Sequence, residues 1–188
     1  MSNKQIQLTI FNITGLRKQA IDSVISFTPN SDLVFLVETW LLSPNRYYTS
    51  WTQHHVHGIR SITLHSRGRL GISLLINPSC PYHVYYIPNN SSPFSLYYLS
   101  CIVANTLIHC VYLLPEKISD AFALDVLESL PLHLPNTNNT IICGDFNARL
   151  GTETGDSRCN TRGRTLLPWI NSNTLTLWNK ELLYGQST

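Results

Sequence analysis

Three short stretches of the chain run apolar and then end on a side chain that is expensive to bury. This pattern limits the fold more than any other feature of the sequence. The stretches are Gln7 to Asn12 (QLTIFN), Asp32 to Glu38 (DLVFLVE) and Thr140 to Asp145 (TIICGD). The last two are continuous apolar runs bounded by turn residues, the signature of strands covered on both faces. Gly71 to Ile76 (GISLLI) reads the same way. Between them lie helical patterns. Leu16 to Phe27 carries Ala20, Ile21, Val24 and Ile25 at helical spacing and stops before Pro29. Ser119 is placed to cap a helix with Phe122, Val126, Leu127 and Leu130 on one face. Strands alternating with helices predict an α/β protein, and no linker divides residues 1–188, so one domain is expected.

The remaining stretches give weaker signals. Thr39 to Arg69 reads as irregular, and Tyr82 to Ile87 as an edge strand between prolines. Leu96 to Ala104 and Leu107 to Leu114 read as a hairpin around Asn105-Thr106. With a two-residue turn there, Cys101 stands opposite Cys110. The plain reading is two small apolar residues on one sheet face; the sharper one is a cross-strand disulfide under oxidation. A helix is predicted near Thr165 to Asn171, and a short strand at Leu175 to Trp178.

Composition removes whole classes of answer. Hydrophobic residues make up 43% and charged residues 13%, the reverse of what keeps a chain disordered. One Met and ten Pro without a repeat exclude coiled coil and collagen. Thirteen basic residues against eleven acidic leave a net charge of +2, too small to name a partner. The five cysteines include no Cys-x-x-Cys pair, which argues against a zinc knuckle or a secreted disulfide framework. No apolar run approaches membrane-spanning length and the N-terminus lacks a signal-peptide core. The expectation is a soluble protein of a reducing, intracellular compartment.

The chemistry is expected where the apolar strands end. A carboxylate there is costly unless it binds something, and open α/β sheets bind ligands at the carboxyl ends of their strands. Glu38 and Asp145 are therefore candidates for one pocket, with Asn12 and Asn147 beside them. Two carboxylates and two carboxamides form an all-oxygen set, suited to Mg²⁺ or Mn²⁺ completed by water and phosphate.

These segments carry a family resemblance. Gly144-Asp145-Phe146-Asn147-Ala148-Arg149 resembles the GDFNAR signature of the endonuclease/exonuclease/phosphatase superfamily. Glu38-Thr39-Trp40-Leu41 and Asn12-x-x-Gly15-Leu16 resemble the corresponding segments of its retrotransposon branch. Val111-Tyr112-Leu113-Leu114-Pro115 is similar to a Val-Tyr-x-Pro-Pro strand, with Leu114 in place of the first Pro. Asn160-x-x-Gly163-Arg164-x-Leu166 is similar to the segment after the catalytic loop. All five occur in order, from about Ile6 onward, as in the apurinic-endonuclease-like nucleases of LINE-type non-LTR retrotransposons.

The resemblance implies a four-layer α/β sandwich, two mixed sheets face to face with helices outside. It implies a Mg²⁺-dependent endonuclease that nicks DNA, in the nucleus. Glu38 would ligate the metal with Asn12 beside it. Asp145 would activate the attacking water or shuttle a proton to the leaving oxygen. Asn147 would hold the phosphate and that water in line, and Tyr112 would hydrogen-bond a phosphate oxygen. Arg149 and Arg164 would contact the DNA backbone, and Thr188 would be the Thr of a substrate-binding strand. The family pattern then continues to a Ser-Asp-His segment, and no His here follows Ser-Asp. The expectation is a domain lacking its final strands and an exact chain that is inactive. A non-catalytic nucleic-acid-binding relic and a superfamily phosphatase on a small phosphoester are the alternatives.

Two further patterns bear on partners. His54-His55-Val56-His57 invites a zinc reading, but no Cys or carboxylate stands nearby in sequence, and a solvated loop is expected. Between Glu38 and Glu116 there is no acidic residue, while Arg46, Arg60, Arg67, Arg69 and six of the seven His lie there. Arg158, Arg162 and Arg164 form a second basic group. Both groups are candidate DNA-backbone contacts.

Overall fold

The computed structural model describes residues 5–15, 20–60, 68–89, 91–115 and 118–183. The chain forms two compact units, Met1–Tyr112 with Pro131–Asp145, and Leu113–Leu130 with Phe146–Thr188.

The first unit is built on two four-stranded mixed sheets. One contains β1 (Leu8–Asn12), β2 (Leu33–Val37), β6 (Ile72–Ile76) and β3 (Thr52–Val56), in that order. β1 and β2 are parallel, joined through helix α1 (Ala20–Phe27), and β6 runs antiparallel to both β2 and β3. The other contains β10 (Asn139–Asp145), β9 (Thr106–Tyr112), β8 (Tyr98–Val103) and β7 (Val84–Ile87). There β9 and β10 are parallel, and β7–β8–β9 is an antiparallel meander. The two sheets pack on each other, β2 and β6 against β8 and β9, β1 against β10. All five residues of β2 are buried, as its unbroken apolar run requires. Ile21 of α1 joins Val34, Leu36, Tyr47, Trp51 and Leu75 in one apolar cluster, with Val24 and Ile25 against it.

Several expectations change. Thr39 to Arg69 is not irregular throughout: it holds β3 and the two short strands β4 (Ile59–Arg60) and β5 (Gly68–Arg69). The alternation in β3 is carried by Gln and His, so apolar periodicity misses it. His54-His55-Val56-His57 is therefore not a solvated loop. His55 lies in a bonded network on β3, His54 stacks on Tyr86 at 4.5 Å, and the rings of His55 and His57 are 5.5 Å apart. Among the described residues no group of three or more His, Cys, Asp or Glu is arranged to hold a metal.

The hairpin turns at Ala104-Asn105, both in the left-handed region (φ 45° and 61°), one residue earlier than expected. Cys101 then pairs with Ile108 and Cys110 with Leu99, so the two cysteines are not opposite each other. Burial pushes the Cys101 thiol up to about 12 and raises that of Cys110 as well, which keeps both protonated and unreactive. β7 is an edge strand, as expected.

In the second unit α2 (Asp120–Glu128) begins at Ser119, whose hydroxyl accepts from the Phe122 N–H at 3.1 Å. Its buried face is Ala123, Val126 and Leu127, and Leu130, two residues past its end, is buried as well; Phe122 is only half-buried. A 3₁₀ turn (Gly151–Glu153) precedes α3 (Thr161–Ser172), which starts four residues before the expected helix. Leu175 to Trp178 is not a strand: Trp178 opens helix α4 (Trp178–Leu183). No helix among the described residues is long and apolar enough to cross a membrane.

Candidate active site

Two parallel strand pairs bring four chain ends to one place. β1 and β2 end together at Asn12 and Val37, and β9 and β10 end together at Tyr112 and Asp145. Because these pairs belong to sheets that pack on each other, Asn12, Glu38, Tyr112 and Asp145 share one end of the first unit.

The side chains there are linked. Asn12 Nδ2 donates to Asp145 Oδ2 at 2.8 Å. Thr14 Oγ1 lies 3.3 Å from Asn12 Oδ1 and 3.4 Å from Glu38 Oε2, as a donor to both. The Thr14 N–H also donates to Asn12 Oδ1. Tyr112 hydrogen-bonds the Glu38 carboxylate and feels the charge of Asp145 as well. Burial first, then these two carboxylates, push its phenol well above the ordinary range, so it stays a proton donor at neutral pH. Tyr112 is 2% exposed, while Glu38 and Asp145 are half-buried and Asn12 is exposed. A buried floor thus carries acidic groups that solvent reaches.

The backbone holds this geometry under strain. Glu38 and Trp40 sit at φ 59° and 54°, where non-glycine residues are rare. The Gly15 N–H bonds the Glu38 carbonyl at 2.8 Å, and the Thr39 and Trp40 N–H groups bond Gly71 and Leu70 carbonyls at 3.1 and 2.9 Å. Gly144 sits at φ 126°, and a Cβ there would collide with the Val111 carbonyl of the neighbouring strand. The Gly of the Gly-Asp pair is therefore demanded by the approach of β9.

Asn147 lies two residues beyond Asp145, in the second unit, at φ 49°. Its Nδ2 donates to the Leu113 carbonyl at 2.8 Å. Arg149 has an exposed side chain, and its N–H donates to Asn160 Oδ1 at 3.0 Å. Arg164 is exposed and reaches the Cys159 carbonyl and Thr161 Oγ1 at 3.1 and 3.2 Å. Thr188 lies outside the described residues.

Arg162, grouped with Arg158 and Arg164 as a basic surface contact, is corrected by the structure. It is 3% exposed, paired with Asp120 at 3.2 Å and bonded to four backbone carbonyls. Charge alone could not separate it from its neighbours. Thr14 and Asn160 were also missed as members of these networks. Thr14 shows in the sequence only as a Thr beside a turn glycine, and Asn160 only as part of the Asn160-x-x-Gly163-Arg164 resemblance.

A family model described as "Endonuclease/Exonuclease/phosphatase family" matches residues 11–182. No curated protein sequence matches the chain. Three solved structures have similar folds at low identity. The endonuclease domain of TRAS1, a telomere-specific non-LTR retrotransposon, aligns with TM-score 0.60 at 13% identity, over 89% of this chain and 71% of that one. The AP endonuclease LMAP from Leishmania major gives 0.66 at 10%, over 97% and 71%. A 3′ phosphatase from Neisseria, bound to product DNA hairpin, gives 0.53 at 12%, over 89% and 71%. At these identities the likeness is one of fold: mixed α/β, with two mixed sheets and helices. The family match covers far more than half of the chain, motifs included, and the protein belongs to the endonuclease/exonuclease/phosphatase family.

Proposed function

We propose that this chain is a divalent-metal-dependent phosphodiesterase that nicks DNA, of the kind carried by LINE-type non-LTR retrotransposons, in place of the inactive chain expected from its sequence, because its acidic site is assembled among the described residues. The observation that carries the proposal is the linkage of Glu38, Tyr112, Asn12 and Asp145 at one end of the first unit. The family match runs through both units, which supports reading residues 1–188 as one domain.

The donor set fits Mg²⁺ or Mn²⁺. It offers two half-buried carboxylates, a carboxamide and hydroxyls, all oxygen, and among the described residues no His or Cys cluster of the kind a closed zinc site needs. Glu38 would hold the ion, with Asn12 beside it. Bound there, such an ion supplies positive charge against the phosphoryl oxygens.

The chain's own residues do the rest. Asp145 takes the proton of the attacking water, and the Asn12 amide fixes the orientation of that carboxylate. Tyr112 keeps its proton and donates from a nearly immobile position, to Glu38 in the free protein and to a phosphate oxygen in the complex. Asn147 holds the phosphate. The exposed Arg149 and Arg164 would contact the DNA backbone, and the acid-free composition between Glu38 and Glu116 favours a polyanion as well. The names of the three solved relatives, two endonucleases and a phosphatase bound to DNA, support a nucleic-acid substrate. The retrotransposon assignment rests on the Glu38-to-Leu41 and Asn12-to-Leu16 segments, and it carries the nuclear location with it.

The test is conversion of supercoiled plasmid to the nicked form by the 188-residue protein with MgCl₂ or MnCl₂. Nicking should stop on chelation and fall by about a hundredfold or more in Asp145→Asn and Glu38→Gln. Equal nicking by wild type and both variants would remove the assignment, as would DNA binding without any nicking. Release of inorganic phosphate from a 3′-phosphorylated strand, with the plasmid untouched, would move it to a phosphatase.

A further inference from the structure

Asn147 cannot hold its conformation unaided. A left-handed backbone at a non-glycine residue costs on the order of 1 kcal/mol and persists only where the surroundings fix it. Contacts within the second unit fix it here, through Leu113 and through the first turn of α3.

Asn160 is the N-cap of α3. Its Oδ1 accepts from the Gly163 N–H at 2.8 Å, as a cap should, and also from the Arg149 N–H at 3.0 Å. The Asn160 N–H in turn donates to the Arg149 carbonyl at 3.1 Å. These bonds would satisfy a helix cap and a β-bridge-like crossing. The remaining one does not belong to capping: Asn160 Nδ2 donates to the Asn147 carbonyl at 3.0 Å. Gly163 permits this approach, because a Cβ at that position would collide with the Arg149 carbonyl.

Arg162 fixes the other side. Its guanidinium donates to the carbonyls of Leu114, Pro115, Ile118 and Phe146, with Asp120 balancing the charge. That secures the strap that follows Leu113, whose carbonyl takes the Asn147 side-chain amide at 2.8 Å. Asn147 is thus held at its backbone by Asn160, and at its side chain through the strap that Arg162 fastens. A buried guanidinium with five partners would be costly to lose for reasons of stability alone. Asn160 is the more discriminating residue.

We propose that Asn160 is a positioning residue for Asn147, with Arg162 securing the strap against which Asn147 is oriented. This rests on the nuclease reading for its consequence in activity, but not for its geometry. The Asn160→Asp variant separates the roles. An aspartate keeps both acceptor functions and is an equally good helix cap, yet it replaces the donor facing the Asn147 carbonyl with a second acceptor.

The experiment follows the Asn147 side-chain amide by ¹⁵N NMR, with the melting midpoint and plasmid nicking measured on the same proteins. In Asn160→Asp the Asn147 amide resonance should move and exchange faster with solvent. The turnover number should fall about tenfold with KM little changed, as misplacement of a bound group predicts. The melting midpoint should stay within about 3 °C of wild type, since the cap survives. Asn160→Ser, which also caps but has no amide to donate, should behave the same way and serves if the aspartate variant does not fold. An unmoved Asn147 amide in the variants would overturn the proposal, and so would full nicking by a variant whose amide has moved. Absence of nicking by the wild type would defeat the nuclease reading, while the amide resonance would still decide the positioning role.

Discussion

At the scale of single residues, Glu38 and Asp145 were legible because carboxylates at the ends of apolar runs violate the ordinary rule for cores. Asn12 follows from its own place at a strand end and Tyr112 from the family resemblance, and the structure links all four by hydrogen bonds and charge. Arg162 was misread because a sequence records charge and not burial; its pairing with Asp120 joins residues 42 apart. Thr14 carries no distinct signal, since a Thr before a Gly turn most often bonds only local backbone. Gly144 gives the sharpest test at this scale. Ala in its place would have to adopt φ near 126° and push its methyl into the Val111 carbonyl. Gly144→Ala should lower the unfolding free energy by about 3 kcal/mol or more in a urea titration. A loss below about 1 kcal/mol would mean that β10 shifts freely against β9.

Elements were legible to the extent that one kind of side chain wrote their period. β2, β6 and β10 announce themselves as unbroken apolar runs, and α1 and α2 as 3.6-residue patterns. β3 escaped because its half-buried positions are filled by Gln and His that satisfy one another. The Tyr47 N–H donates to Gln53 Oε1 and Gln53 Nε2 donates to the Tyr47 carbonyl, which fixes the amide. His55 Nε2 therefore donates to Gln53 Oε1, and Ser73 donates to His55 Nδ1. The hairpin turn slipped because Asn-Thr looked the better turn pair, whereas register placed Ala104-Asn105 at the corner. The stretch after α3 was read as a strand from a few apolar residues, too short a window to tell the two periods apart. Ser119 was read correctly, since the hydroxyl stands one residue before an apolar periodic segment. Ser119→Ala should cost about 1 kcal/mol in the same unfolding assay, while Ser129→Ala at the far end of α2 removes no N-terminal cap.

At the scale of the whole molecule, buried histidines set the acid limit of stability. His109 is fully buried; its Nε2 donates to the Pro131 carbonyl at 2.9 Å and its Nδ1 accepts from Ser100 at 2.6 Å, so the ring is neutral. Burial lowers its pKa, and burial together with His57, His54 and Arg46 lowers that of His55 to about 4. Both titrate near 6.5 once unfolded, so between those limits the unfolded chain binds more protons. Stability is therefore complete above about pH 6.5 and declines as pH falls toward 4, by on the order of 2 kcal/mol from His55 alone. Urea midpoints at pH 7 and 4.5 should show the decline, and His55→Gln should flatten it; a profile equally steep in the variant would clear His55 of responsibility. The bond between Asn12 and Asp145 joins residues 133 apart. Closing so long a loop carries an entropic cost that the flanking strands must offset. A nascent or half-assembled chain, whatever local structure it has gained, accordingly lacks the joined amide and carboxylate on which the proposed chemistry depends.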